Sequence, residues 1–175
     1  MSRILMIYST TDGHTRKICR RLSQVVEQLD HQVTLISIED ESSVALESFD
    51  KIILGASIRY GKHHKKVYAF IKRNEQLLDS KANAFFSVNV VARKPEKNQP
   101  ETNPYLGKFL KQISWQPKQL AVFAGKLDYK KYGFLDRQLI RLIMCITKGP
   151  TDPETVIEFT DWKQVESFGL LVSNM

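Results

Sequence analysis

The chain has 175 residues, of which 42% are hydrophobic and 26% are charged, and its formal net charge is +7. This composition is ordinary for a globular protein and excludes a largely disordered chain, and the length favours one domain spanning residues 1–175. The excess of positive charge indicates an anionic partner, such as a lipid surface, a nucleic acid or an acidic small molecule.

The N-terminus and the cysteines indicate where the protein works. The first residues enter an apolar run without a basic leader, so we expect no signal peptide. Cys19 and Cys145 lie far apart and outside any Cys-x-x-Cys pair, so we expect two inert core thiols in a reducing cytoplasm. No metal site is expected.

Short apolar runs rich in Val, Ile and Phe alternate along the chain with amphipathic helical patterns. The runs predict five strands, at residues 4–8, 33–38, 52–54, 84–91 and 120–124. Helices are predicted around residues 18–29 and 67–77, and at 105–113, 134–148 and 161–172. Asp161 and Gln164 resemble a capping box at the start of the last helix. The alternation predicts a three-layer α/β/α sandwich, with any ligand at the carboxyl ends of the strands.

A hydroxyl-rich turn with one glycine follows the first predicted strand and precedes the first helix. It consists of Ser9, Thr10, Thr11, Asp12, Gly13, His14 and Thr15. Hydroxyl groups, together with backbone N–H groups at the positive end of the helix, can surround the oxygens of a phosphate without a cationic side chain. A plain strand-to-helix turn capped by Thr or Asp is the alternative.

Two more segments follow strands at the same predicted edge of the sheet. Residues 55–61 read Gly-Ala-Ser-Ile-Arg-Tyr-Gly, where the glycines would let the backbone approach a ligand closely. Ser87, Val88 and Asn89 lead into a long polar loop at residues 92–104, which contains three prolines. Each segment alone could be an ordinary surface turn, but the coincidence of three at one edge predicts a binding site there.

The turn after the first strand, read as Tyr-x-Thr-x-x-Gly-x-Thr from Tyr8 to Thr15, resembles the FMN-phosphate loop of flavodoxins. Within that superfamily the chain is most similar to the short flavodoxin-like protoporphyrinogen oxidases of bacteria. This closer similarity is carried by residues 55–61, by residues 87–97 (Ser-Val-Asn-Val-Val-Ala-Arg-Lys-Pro-Glu-Lys) and by the pair Asp161-Trp162. It extends over essentially the whole chain.

The resemblance implies a flavodoxin-like, doubly wound sheet of five parallel strands that binds FMN. It also implies dehydrogenation of protoporphyrinogen IX to protoporphyrin IX in haem biosynthesis, with electrons passed to menaquinone or ubiquinone. By matching position, the residues from Ser9 to Thr15 would hold the phosphate. The flavin ring would be flanked on one side by Ser57, Ile58, Arg59, Tyr60 and Gly61, with Tyr60 as the best candidate for stacking, and on the other by Ser87, Val88 and Asn89.

Three cations bear on the substrate. Arg93, Lys94 and Lys97 lie on the loop that leaves the flavin edge, where charge-assisted hydrogen bonds would bind the propionates of protoporphyrinogen IX. A solvated loop, whose lysines only confer solubility, is the alternative.

A basic segment near the C-terminus bears on the membrane. The resemblance implies peripheral attachment to the cytoplasmic face of the inner membrane. Residues 134–148 predict an amphipathic helix, with Arg137 and Arg141 on a different face from its leucines and isoleucines, that would bind an anionic membrane surface. Nearby Lys130 and Lys131 suit anionic headgroups. A helix packed in the core has the same pattern.

No side chain is assigned as a catalytic acid or base, since the flavin would carry the redox chemistry. His63 and His64 are expected to be exposed at a helix start, and His14 is expected to contribute through its backbone. No nucleotide-binding fingerprint other than the flavodoxin-like turn occurs. The cations are scattered along the chain, so no nucleic acid partner is expected. The main alternative function is that of a flavodoxin-like electron carrier without its own small-molecule substrate.

Overall fold

Six strands form the central sheet of the computed structural model, which describes residues 1–175. They are β1 (Arg3–Ser9), β2 (Gln32–Ser37), β3 (Lys51–Arg59), β4 (Lys62–His63), β5 (Ala82–Asn89) and β6 (Gln119–Ala124). The order across the sheet is β2-β1-β3-β5-β6, and neighbours along this path pair in parallel. The short strand β4 pairs antiparallel with the end of β3. The predicted parallel strands are therefore confirmed, and β4 is an addition.

Helices cover both faces of the sheet. They are α1 (His14–Glu27), α2 (Lys65–Ser80), α3 (Pro104–Leu110), α4 (Phe134–Ile146) and α5 (Trp162–Ser173). One cluster of buried apolar side chains joins α1 and α5 to one face of the sheet, and a second cluster joins α2 and α3 to the other. The predicted three-layer α/β/α sandwich is confirmed.

Strand β1 is apolar from Ile4 to Ile7 because both of its faces are covered there. Ile4 and Met6 belong to the cluster beneath α1 and α5, whereas Leu5 and Ile7 belong to the cluster beneath α2 and α3. All four side chains are fully buried. A continuous apolar run, instead of an alternating one, is what a parallel strand between two helical layers requires.

The chain leaves the sheet between β6 and α5, in a segment of residues 125–160 that we call the excursion. It contains an antiparallel ribbon of β7 (Lys126–Asp128) and β8 (Val156–Glu158), with α4 between the two strands. Its own apolar cluster consists of Leu127, Tyr129, Tyr132 and Met144. The sequence patterns missed this ribbon, because strands of three residues are too short to show a periodicity.

Strand β3 is longer than predicted and includes most of residues 55–61, which were expected to form a loop. It extends to Arg59, and the chain then reverses into β4 through Tyr60 and Gly61. Gly55 lies inside β3, where an added Cβ atom would be only 2.6 Å from Cε1 of the Phe86 ring. The expectation that this glycine admits a ligand is wrong, since it makes room for Phe86.

Other expectations hold in part. Cys19 is buried, and burial raises the pKa of its thiol, but Cys145 is exposed on α4 and is not a core residue. The carboxylate of Asp161 caps α5 by accepting from the N–H groups of Lys163 and Gln164. The Gln164 side chain donates to the carbonyl of Asn98, so only half of the predicted capping box forms.

Candidate functional site

One cleft opens at the carboxyl ends of β1, β3 and β5, and residues of the excursion complete its lining. Its cavity volume is about 210 Å³. Hydroxyl groups from the turn after β1 line it together with apolar side chains from α4. The three segments expected to meet at one edge of the sheet do meet there.

The turn between β1 and α1 presents a hydroxyl group without a partner. Thr15 is fully buried in the first turn of α1 and lines the cleft, yet its Oγ1 makes no hydrogen bond. Thr10 Oγ1, in contrast, accepts from the N–H of Gly13 at 3.0 Å. Gly13 has a φ of +86°, and no side chain caps the helix start. A buried unpaired hydroxyl is costly, so this end of α1 is suited to receive a ligand.

The start of α1 carries positive side chains. Its first turn has no acidic residue, and Arg16 and Lys17 directly follow Thr15, of which Lys17 pairs with Glu158 at 2.7 Å. Lys131 of the excursion also reaches the turn, where its Nζ donates to the carbonyl oxygen of Asp12 at 3.5 Å. Because unpaired N–H groups already make a helix N-terminus positive, this arrangement favours an anionic ligand.

Tyr60 and Gly61 form the two-residue turn between β3 and β4. Their φ angles are +51° and +73°, as a hairpin turn with two left-handed residues requires. The left-handed conformation is uncommon for a tyrosine. The Tyr60 side chain lines the cleft and is 64% exposed, so its ring is accessible to a ligand.

Arg59, beside that turn, joins three segments around the cleft. Its guanidinium pairs with Asp12 of the first turn at 3.2 Å and with Asp136 of α4 at 2.7 Å. The hydroxyl of Tyr60 also donates to Asp136. Tyr60 and Arg59 together hold the pKa of Asp136 below its ordinary value. Arg59 thus offsets part of the negative charge that the Asp12 carboxylate brings to the first turn.

The polar side chains at the end of β5 bond within the protein. Ser87 is fully buried, and Asn89 is nearly so. The amides of Asn89 and Asn103 exchange hydrogen bonds of 3.4 and 3.1 Å, which tie the loop of residues 92–104 back to the sheet. Of this strand end, Val88 and Asn89 line the cleft, and Ser87 does not.

Of the three cations assigned to substrate propionates, only Arg93 lines the cleft. Its guanidinium donates to the carbonyl of Val90 at 3.1 Å, and to the carbonyl and hydroxyl of Thr147 at 3.2 and 3.0 Å. Arg93 therefore fastens the end of α4. Lys94 and Lys97 are half-buried outside the lining. The role of these three residues toward a carboxylate stays a prediction.

His14 is held through its side chain as well as its backbone. Its Nε2 lies 2.6 Å from Oγ1 of Thr160, and that hydroxyl donates to the carbonyl of Ala124. Nε2 is therefore the donor of the pair. Burial lowers the pKa of His14.

His63 is buried, so the expectation that it is exposed is wrong. Its Nδ1 donates to the carbonyl of Ser57 at 3.2 Å, which leaves Nε2 to accept from the Ser87 hydroxyl at 3.4 Å. Burial lowers its pKa to about 4. His64 is exposed and caps α2, as expected of a residue at a helix start.

Helix α4 is not a core helix, because Met144 is its only buried residue. The side chains that it turns to the cleft are Leu139, Ile140, Ile143 and Met144. Other apolar side chains are largely exposed, namely Phe134 (74%), Leu135 (81%), Leu142 (58%) and Ile146 (73%). The helix therefore offers apolar surface both to the cleft and to the outside.

Arg137 and Arg141 each bond to a backbone carbonyl of the excursion, and the expectation that their charges face lipid stays a prediction. Nε of Arg137 donates to the carbonyl of Tyr129 at 3.1 Å, and Nε of Arg141 donates to that of Thr151 at 2.8 Å. The outer face of α4 is consequently apolar more than basic. None of the helices has the length and apolar content needed to cross a bilayer.

The flavodoxin domain model matches residues 5–154. A protein of Escherichia coli strain K12 named protoporphyrinogen IX dehydrogenase (quinone) is 39% identical over 173 residues, which cover 99% of this chain and 96% of that protein. One of the same name from Leishmania major is 43% identical over 167 residues, covering 95% of this chain and 72% of that protein. This chain belongs to the flavodoxin family of quinone-dependent protoporphyrinogen IX dehydrogenases.

Solved flavodoxins share the fold. A flavodoxin from the domain Archaea has a TM-score of 0.55 at 14% identity, covering 98% of this chain and 96% of that chain. Flavodoxin 2 of Bacillus cereus has a TM-score of 0.54 at 15% identity, covering 98% of both chains. The flavodoxin-like fold expected from the sequence is confirmed.

Most of the predicted cofactor residues of this flavodoxin-family chain line the cleft. The exceptions are Ser9, Gly13 and Ser87. The excursion adds lining residues that the sequence patterns did not assign to the cofactor site, among them Lys126, Lys131, Tyr132, Leu139, Ile143 and Thr147. The basic and aromatic character of residues 126–132 is the sequence feature that indicates a binding role for this segment. The sequence alone does not show that the segment lies beside the turn between β1 and α1.

Proposed function

We propose that this chain uses FMN to dehydrogenate protoporphyrinogen IX to protoporphyrin IX and passes the electrons to a respiratory quinone. The carrying observation is that one cleft joins a hydroxyl-rich turn, with the unpaired hydroxyl of Thr15, to the apolar wall of α4. The turn suits a cofactor phosphate, and the wall suits a large apolar reactant such as a tetrapyrrole or a quinone. The shared name of the relatives supports the reaction.

The turn between β1 and α1 fits the phosphate of FMN. Thr15 supplies a buried donor that has no other partner, and Gly13 provides the left-handed backbone that opens the turn. The hydroxyls and N–H groups from Ser9 to His14 complete the proposed phosphate site, and Lys131 adds a cation above it. The flavin ring is placed between Ser57–Gly61 and the end of β5, with the exposed ring of Tyr60 available for stacking.

FMN, when bound, supplies the hydride-accepting centre of this reaction. The residues of the chain position the reactants and keep water away from them. Val88, Leu139 and Ile143 line the cleft with apolar surface. His14 and His63 each bond to protein groups, so neither is assigned to carry a substrate proton.

Spectroscopy followed by an anaerobic assay tests this function. We expect the purified protein to be yellow, to release FMN and not FAD on denaturation, and to form fluorescent protoporphyrin when protoporphyrinogen and a menaquinone or ubiquinone analogue are both present. An electron carrier without a substrate would bind FMN and accept electrons from dithionite, but would not speed protoporphyrin formation above the uncatalysed rate. That result would overturn the enzymatic proposal.

The membrane-facing surface is the second part of the proposal. The outer face of α4 presents Leu142 and Ile146 to the outside, with Lys148 nearby and exposed. A peripheral contact of this face with the cytoplasmic side of the inner membrane would cover the apolar surface and bring the cleft close to lipid-dissolved quinone. Otherwise the protein is cytoplasmic in this proposal.

A vesicle sedimentation assay tests the surface. We expect the wild-type protein to bind vesicles that contain phosphatidylglycerol, and the double variant Leu142→Glu/Ile146→Glu to lose most of this binding, since each charge would enter the lipid interface. Leu170→Glu is the matched control, because Leu170 is a 49% exposed leucine on α5, away from the excursion. Equal binding of the double variant and the wild type would refute the contact.

A further inference from the structure

Asp136 lies outside the cleft lining but holds two residues that are part of it. It is in the first turn of α4, where it accepts from Arg59 at 2.7 Å and from the hydroxyl of Tyr60. Arg59 and Tyr60 line the cleft, next to the proposed position of the flavin ring. One carboxylate of the excursion thus determines where two side chains of the β3–β4 hairpin lie.

The position of Arg59 depends on this carboxylate. The guanidinium also pairs with Asp12 at 3.2 Å, and its central carbon lies 5.6 Å from the ring centre of Tyr60 and 5.1 Å from that of Tyr132. The side chains of Arg59 and Asp136 are only 25% and 26% exposed. Charge-assisted hydrogen bonds between partly desolvated groups are strong and directional, so the pair is an effective orienting contact.

Helix α4 is held in part by the same contact, since Met144 is its only buried residue and Arg137 and Arg141 bond only within the excursion. Polar bonds fasten the helix near both ends. Arg93 binds Thr147 just beyond its C-terminus, and Asp136 binds the hairpin from its first turn. Loss of the Asp136 contact would leave the N-terminal part of this cleft wall less firmly held.

We infer that Asp136 is a positioning residue for the redox reaction, which holds Tyr60 and Arg59 at the flavin edge and sets α4 against them. This inference rests on the proposed function. Asp136 itself does not line the cleft, so it acts through its two partners. Asp136 links Arg59 and Tyr60, at the proposed position of the flavin, to α4, against which the substrate is proposed to pack.

Kinetics and flavin spectroscopy of Asp136→Ala test this inference. We expect the KM for protoporphyrinogen to rise at least fivefold and the visible circular dichroism of bound FMN to change. The Kd for FMN should change less than the KM, because Arg59 keeps its bond to Asp12. Asp136→Asn, which keeps an acceptor oxygen but loses the charge, should have an intermediate effect. Glu154→Gln is the matched control, since it removes an exposed carboxylate of the excursion that is paired only with Lys130.

A double-mutant cycle with Tyr60→Phe separates positioning from a merely structural role. If Asp136 acts through the Tyr60 hydroxyl, Tyr60→Phe should have a smaller effect on the KM in the Asp136→Ala background than in the wild type. Full additivity would overturn the inference, as would a wild-type KM and dichroism spectrum in Asp136→Ala. Should that variant not fold, wild-type values in Asp136→Asn would overturn it equally. A wild-type protein without FMN or turnover would instead contradict the proposed function.

Discussion

Replacing Thr15 by Val is expected to weaken FMN binding by about 10- to 100-fold, since a hydrogen bond to a charged group contributes roughly 1.5–3 kcal/mol and about 1.4 kcal/mol corresponds to a tenfold change in Kd. The Thr15 hydroxyl is fully buried and has no partner in the protein. Valine has the same shape and a similar helix propensity, so the substitution removes the donor and little else. Titration of the apoprotein with FMN, followed by quenching of flavin fluorescence, measures the effect.

The same substitution should not destabilise the apoprotein. An unpaired buried hydroxyl costs about 1–3 kcal/mol of folding free energy, so its removal should leave the free energy of unfolding unchanged or raise it. Urea unfolding without FMN measures this. Ser23→Ala is the control within α1, because the Ser23 hydroxyl donates to the carbonyl of Cys19 and lies outside the cleft lining. Wild-type FMN affinity in Thr15→Val would refute the phosphate site.

Acidification should destabilise the wild type more than a His63→Phe variant. Burial lowers the pKa of His63 from 6.5 to about 4. Between these pH values the unfolded chain therefore binds a proton at His63, while the folded protein does not. The contribution of the neutral His63 to the free energy of unfolding is fully present above pH 6.5 and is lost as the pH falls toward 4. Between pH 7.5 and 5 this difference amounts to about 2 kcal/mol of unfolding free energy.

Phenylalanine suits this site because the His63 ring packs edge-on against Phe109 and Phe85, at centroid distances of 4.7 and 5.4 Å. The His63→Phe variant loses the hydrogen bonds to Ser57 and Ser87, so its free energy of unfolding at pH 7.5 will also differ from that of the wild type. Protonation of His63 is therefore measured only by how the difference in unfolding free energy between the two proteins changes with pH. Urea unfolding of both proteins at the two pH values gives it, and His63→Gln serves if the first variant does not fold. Parallel losses in wild type and variant would contradict the buried neutral histidine.

The sheet and the turn after its first strand could be predicted because their causes are local. A parallel strand covered on both faces must be apolar throughout, as Leu5 and Met6 are, and such runs are visible without any knowledge of the fold. The turn from Ser9 to Thr15 combines a strand end, a glycine and a helix start within a few residues. The resemblance to flavodoxins rests on the same short segments, which is why it led to the fold and to the proposed FMN site.

Other features of the site depend on contacts between distant parts of the chain. Gly55 was interpreted as a ligand-facing glycine, but its neighbour is the ring of Phe86 on the next strand. His63 was expected to be exposed, but Phe85 and Phe109 enclose it. Neither packing partner can be identified from the sequence around the residue itself.

The sequence by itself determined the three-layer fold, the edge of the sheet where the three candidate segments meet and the hydroxyl-rich character of the first turn, because these follow from periodicity and from groups adjacent in the chain. The tertiary structure decided which groups the residues of the excursion contact. In the folded protein Arg137 donates to a backbone carbonyl, Lys131 reaches the turn between β1 and α1, and Asp136 pairs with Arg59. A helical pattern shows which side chains share a face, but only the packing of the helix determines what that face meets.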